Sequence, residues 1–294
     1  MEFFTTAAGI TVHVWDTKDE RCRVKPGMTE SVTPGSANAV TPGSDPGSII
    51  LLHGYLETMY IYNELVEALK EHYRVIVLDM PGHGLTDPAP EGPDGRRVNT
   101  LSFCAAVVVG VLDKCGIDKA VLAGHSMGGY VTLQALREYP ERFERAFLLH
   151  SHPYPDAPEK ASDREREKQL IAEGKLMTLA GVSIPMMYHE ENLRACDEKI
   201  RETVELCETH DPEGIIASIE GLRTRPDNQA VMAHPPVPLT LVYGDHDAFL
   251  PLARVAEMKE AFPEVHYELI PDTGHNSFIE RRDAVVDVLT RENC

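Results

Sequence analysis

Five short runs constrain this chain more than anything else in it: SIILL at 48–52, VIVL at 75–78, AVLAG at 120–124, RAFLL at 145–149 and PLTLV at 238–242. Each is too short for a free-standing helix, and each stays apolar at successive positions. A strand reads that way when both of its faces are covered. Between the runs lie helical patterns: YNELVEALKEH with Leu65, Val66 and Leu69 on one stripe, LSFCAAVVVGVLDKCG ending near Gly116, GGYVTLQALREYP stopped by Pro140, LARVAEMKEAF, and the closing RRDAVVDVLTREN. Strands that alternate with helices predict an α/β fold, a mostly parallel sheet with helices on both faces. Two further strands open the chain in EFFTTAAGITVHVWD, turning at Ala8-Gly9, and VHYELIPDTGH supplies a last one.

The alternation lapses twice. Residues 17–48 are rich in Pro, Gly, Ser and Thr, repeat VTPGS, and hold too little apolar surface to offset their ordering entropy, so they are expected to form a long exposed loop. Residues 153–233 begin PYPDAPEKASDREREKQL and carry helix formers and charges with little that resembles a strand. The expected organisation is therefore a core in two parts, 1–152 and 234–294, interrupted by a helical cap at 153–233.

The net charge of −19 argues against binding nucleic acid through a basic surface, since phosphate backbones require Lys and Arg. The six cysteines form no CxxC pair in a chain too long to need disulfide staples, which points to reduced thiols and a cytoplasmic setting. The first residues lack a basic and apolar leader pattern, and no run approaches the roughly 18 apolar residues of a membrane span. Oligomeric state has no signature here.

The chemistry concentrates in AVLAGHSMGGYV, residues 120–131. Ser126 stands in G-x-S-x-G, between a buried strand and a helix. A sharp turn there exposes the hydroxyl in a strained backbone conformation, and the helix amides behind it favour developing negative charge. A serine needs a base and a group to orient that base. The order nucleophile, acid, histidine predicts both partners downstream, at the ends of later strands. LVYGDHDAF offers Asp247 as the acid, with Asp245 better suited to capping the turn after Gly244, and LIPDTGH offers His275 as the base. The oxyanion would take backbone amides from Met127, after the nucleophile, and from Tyr55, where Gly54 lets the chain approach closely. Such a base acts when neutral, so activity should rise with pH across about 6 to 7, where imidazoles lose their proton.

His53 and His83 stand in separate turns without ligand spacing, which favours structural hydrogen bonds over a metal site. No metal or cofactor is called for. The segment GVSIPMMYHEENL offers Ile184, Met186, Met187 and Tyr188 either as an adaptable apolar wall of the cleft or as packing between cap and core. Ser151 and His152 end a strand near the site, as pocket lining or as ordinary strand-end polar residues.

Taken together, HGYLET, DMPGHGLTD, GHSMGG, GDHDAFLP and DTGH resemble the α/β-hydrolase superfamily, across the core on both sides of the helical segment. The resemblance implies an eight-stranded, mostly parallel sheet with a lid or cap, Ser126, Asp247 and His275 as the triad, and Tyr55 with Met127 as oxyanion donors. It implies that DMPGHG shapes the active-site end without catalytic duty. The loop 17–48 departs from the pattern; it should connect antiparallel strands on the face opposite the catalytic ends. A small or medium carboxylic ester is the expected substrate, cleaved through an acyl-enzyme. Carbon–carbon bond, lactone and monoacylglycerol hydrolases share near-identical elbows, and a non-catalytic ligand-binding protein on this fold is the reading outside enzymes. A haloalkane dehalogenase would carry Asp in place of Ser126, and a proline iminopeptidase a Trp in the elbow, whereas the only Trp here is Trp15.

Overall fold

The computed structural model describes residues 1–18 and 47–291. An eight-stranded sheet runs β1-β2-β4-β3-β5-β6-β7-β8. Its strands are β1 (Glu2–Ala7), β2 (Ile10–Asp16), β3 (Ser48–Leu52), β4 (Arg74–Leu78), β5 (Ala120–His125), β6 (Phe143–Leu149), β7 (Leu239–Gly244) and β8 (His266–Ile270). The first hairpin turns through Ala8 and Gly9, both at positive φ, and β2 lies antiparallel to β4. All other neighbours are parallel.

The unbroken apolar runs follow from this sandwiching. In β3, Ile50 and Leu52 enter one buried cluster while Ile49 and Leu51 enter another on the opposite face. The same two-way split holds for Ile76/Leu78 against Val75/Val77 in β4 and for Ala146/Leu148 against Phe147/Leu149 in β6. Helices α2 (Leu101–Cys115), α3 (Met127–Glu138) and α9 (Leu252–Ala261) cover the first face; α1 (Asn63–Leu69), α10 (Ser277–Glu280) and α11 (Arg282–Thr290) cover the second. Each fully buried Leu or Ile contributes roughly 1.5–3 kcal/mol, so the two faces hold the sheet far more firmly than any surface pair. Helix α2 starts where the Thr100 hydroxyl accepts the Phe103 amide and stops at Gly116, in the left-handed conformation that an L side chain resists.

Between β6 and β7 lie α4 (Pro158–Ala172), α5 (Leu176–Ser183), α6 (Asp197–Leu206), α7 (Pro212–Arg223) and α8 (Gln229–Ala233), with no strand among them. They build a third buried cluster that includes Leu56 from the loop after β3. The expected loop 17–48 falls largely outside the described residues. Its two described ends meet the start of β4, where Thr17 N–H donates to Val75 O and Arg74 N–H to Gly47 O, at the edge of the sheet away from Ser126. The four cysteines within the described residues, Cys104, Cys115, Cys196 and Cys207, are unpaired and buried. No helix among the described residues is long and apolar enough to cross a membrane.

Candidate active site

The parallel strands deliver their carboxyl ends to one rim, and backbone strain collects there. Of five non-glycine residues at positive φ among those described, Leu56, Ser126 and His150 follow β3, β5 and β6 at this rim. Ser126 sits at φ 49°, ψ −108°, the residue before α3. Its amide donates to Leu149 O over 2.9 Å, which pins the elbow to β6. The flanking glycines are a packing requirement: a Cβ on Gly128 would lie 2.2 Å from Leu52 O, and one on Gly129 2.3 Å from Ser151 Cβ. Ser151 itself donates its hydroxyl to Ser126 O over 2.8 Å, so it braces the turn.

Ser126 and His275 line one cavity of about 250 Å³, together with Tyr55 and Met127. The His275 ring reaches Asp247 from Nδ1, at 3.0 Å to Oδ1 and 2.8 Å to Oδ2. The carboxylate can only accept from that nitrogen, which leaves Nε2 as the acceptor, and Nε2 has no hydrogen-bond partner among the described residues. The amides of Tyr55 and Met127 are likewise unpaired among the described residues. Both residues border the cavity, so these amides remain available to donate to a group that enters it.

Asp247 is held by more than His275. Its Oδ1 accepts the amides of Phe249 and Leu250, and its Oδ2 accepts Nδ1 of His150 over 2.8 Å. Burial alone would raise its pKa; the charge interaction with His275 and the hydrogen bonds from both imidazoles hold it well below the usual carboxylate range instead. His150, fully buried, accepts the Ser277 hydroxyl at Nε2, and burial outweighs Asp247 to push its pKa down to about 4. Asp245 accepts the Thr273 amide and lies outside the cavity lining.

Behind Ser126, His125 Nε2 donates to the carbonyl of His275 over 3.0 Å, and Nδ1 faces Glu57 Oε2 at 2.9 Å. That same Glu57 oxygen accepts the Gly54 amide, tying the Tyr55 loop to β5. The helical segment reaches the site through the backbone: His275 N–H donates to Met187 O over 2.7 Å, and Glu280 accepts the amides of His189 and Gly274.

Of the proposed lining residues, His152 and Met187 border the cavity with Ser126. Met186 and Tyr188 do not: Met186 is exposed, Tyr188 packs in the helical segment's cluster, and both border a separate depression beside His189 and His246. The 3-10 turn Pro185–Met187 accounts for this, since its successive residues Met186 and Met187 cannot share a face and Tyr188 leaves the turn in extended backbone. His53 accepts the Met80 amide at Nε2 and donates to Gly54 O, and His83 lies 3.4 Å from Pro81 O, so both are engaged locally. Among the described residues, His150, Asp247 and His275 are close enough to share an ion, but their facing atoms are already joined by hydrogen bonds; Asp245, His246 and Asp272 form a second, more exposed group.

His150, Glu57 and His125 carry structure that the reading of the sequence left unassigned. The run His150-Ser151-His152 at the end of a buried strand was the available signal, because polar residues gather at such ends when the sheet presents a site there.

A doubly wound sheet with a strained serine between β5 and α3, and an imidazole–carboxylate pair after β7 and β8, is the arrangement of α/β-type hydrolases. The chain belongs to the alpha/beta hydrolase fold family, whose family model matches residues 47–282. It is similar to the uncharacterized hydrolase YugF of Bacillus subtilis (strain 168), 31% identical over 112 residues that cover 37% of this chain and 39% of that protein. It is also similar to a pimeloyl-(acyl-carrier protein) methyl ester esterase of Aeromonas salmonicida (strain A449), 26% identical over 82% of this chain and 93% of that one. Among solved structures, a thermophilic esterase from Thermogutta terrifontis superposes with a TM-score of 0.80 at 24% identity, covering 98% of this chain and 96% of the other. The chain is thus a member of the alpha/beta hydrolase fold family, it spans about 40–60% of the length of several relatives it matches, and an esterase is among the proteins it resembles.

Proposed function

We propose that this protein is a serine hydrolase that cleaves a small or medium carboxylic ester through an acyl-enzyme. The observation that carries the reading is the His275 ring, tied to Asp247 at Nδ1 and free at Nε2, in the same cavity as Ser126. Ser126 Oγ attacks the ester carbonyl as His275 Nε2 takes its proton, and the oxyanion rests on the Tyr55 and Met127 amides. His275 then returns the proton to the leaving alcohol, water adds to the acyl-enzyme by the same route, and the acid departs. Asp247 fixes the imidazole tautomer and stabilises the imidazolium. Residues 153–233 serve as the cap, and a cavity of about 250 Å³ lies below the usual range for drug-sized ligands, in keeping with a small substrate.

The test is labelling with a fluorophosphonate probe, compared with Ser126→Ala, followed by a panel of 4-nitrophenyl esters of rising acyl length. Labelling that requires Ser126, with turnover peaking at short or medium chains, is the expected result. Labelling without turnover of any ester would overturn it in favour of a ligand-binding role.

A further inference from the structure

The roof of the cavity is charged in a way the chemistry does not use. Helix α4 contributes Lys160, Arg164 and Glu167, the loop just before it Asp156, and the segment just past α7 Arg225, all lining the same space as Ser126. Three cations thus face two carboxylates, in a chain whose net charge is −19. Asp156 accepts from Arg164 Nε at 3.3 Å and from Arg225 Nη1, and Glu167 accepts from Arg164 Nη1 at 3.1 Å. Lys160 is held least firmly, 3.8 Å from Glu167 with its side chain 44% exposed. Both guanidinium groups are nearly buried, yet each keeps one terminal nitrogen, Nη2, out of every hydrogen bond among the described residues. The Tyr55 hydroxyl is buried without a hydrogen-bond partner among the described residues, with the Arg164 guanidinium 5.7 Å from its ring centre.

Two arguments separate this from a plain structural ion network. Taking charges out of water is costly, and well-packed apolar side chains would roof the cavity at least as stably. The donors left over, two guanidinium edges, an ammonium and a phenol, are the set that receives a carboxylate. The field is also felt nearby: burial, with Arg225 and Arg254 adding to it, pushes the His152 pKa down to about 3.

We infer that the preferred substrate carries a carboxylate remote from the scissile ester, received by Arg164, Arg225 and Lys160 beneath helix α4. The inference rests on the ester-hydrolase reading and narrows it to half-esters of dicarboxylic acids or esters whose alcohol bears an acid.

The experiment measures kcat/KM of the full chain for substrate pairs matched in size. In one arm 4-nitrophenyl hydrogen glutarate is set against 4-nitrophenyl hexanoate; in the other 4-acetoxybenzoate is set against 4-tolyl acetate. A preference for the anionic member of at least about tenfold in one arm is expected, and that arm identifies which side of the ester carries the acid. The preference should shrink with added salt. In Lys160→Gln and Arg164→Gln the ratio of anionic to neutral kcat/KM should fall at least about fivefold; a folding defect lowers both members and leaves the ratio. Equal or better cleavage of the neutral member in both arms overturns the inference while ester hydrolysis stands, and so does a ratio unchanged in both variants. Absence of all ester turnover instead sinks the hydrolase reading. Calorimetry with glutarate then decides the pocket alone: binding weakened by Lys160→Gln keeps the anion site, and no binding removes it.

Discussion

On the floor of the cavity, position is set by backbone; on the roof, by side chains reaching one another. Ser126 is fixed by a strained φ, an amide bond to β6 and glycines that admit no Cβ, and Asp247 by two main-chain amides as well as two imidazoles. The roof is assembled from Asp156, Arg164, Glu167 and Arg225, long side chains that close on each other by charge. The geometry of the floor is therefore carried by the main chain, whereas each roof position depends on the charged partner opposite it. In the function proposed, reaction type would belong to the first region and choice of substrate to the second.

The sharpest division between them is expected from Ser126→Ala, which should lower kcat by about 10⁶ while leaving urea denaturation nearly unmoved. Asp247→Asn should cost about 10⁴ in kcat through loss of the His275 tautomer, read by steady-state kinetics. A roof substitution should act the other way round. Asp156→Asn strips the shared carboxylate from two buried guanidinium groups and should cost about 3–5 kcal/mol in urea unfolding. Finding activity lost and stability kept in that variant would break the comparison.

Acid should loosen the floor. His150 is buried neutral with its pKa lowered to about 4, below the ordinary value of an unfolded imidazole near 6.5. The unfolded chain then binds the extra proton, so stability is complete above about pH 6.5 and falls as the pH drops toward 4. At pH 5 this ring alone should have removed about 2 kcal/mol, and His150→Gln should flatten the profile by that amount in denaturant titrations at pH 7 and 5. The smallest effect is expected on the outer surface of α6, where Asp197 and Arg201 form an exposed pair one turn apart. Arg201→Ala should shift stability by no more than about 0.5 kcal/mol.

The sheet was legible because burial on two faces leaves an unmistakable apolar run, as in Ile49–Leu52, and the end of α2 because Gly116 stops it. The placement of Ser126, Asp247 and His275 at one rim was legible because strand ends and chain order locate them. His150 was not: its bond to Asp247 spans 97 residues, and nothing local distinguishes it from its neighbour His152. Glu57 and His125 were hidden similarly, as a pair 68 apart in the chain whose burial alone makes them matter. The roof was the least legible part, because α4 reads as a solvated charged helix until the fold turns Arg164 inward. For Met186, Met187 and Tyr188 the sequence left cleft wall and packing open, since a run of apolar residues does not say which of them a tight turn will point inward.

One bond described above joins the two regions, the 2.7 Å contact from His275 N–H to Met187 O. A displacement of residues 153–233 wide enough to admit a bulky guest would carry that carbonyl away and unseat the imidazole. Under the proposed function, the fit of the guest and the seating of the base would therefore answer to one main-chain contact, so a change in either should be felt by the other.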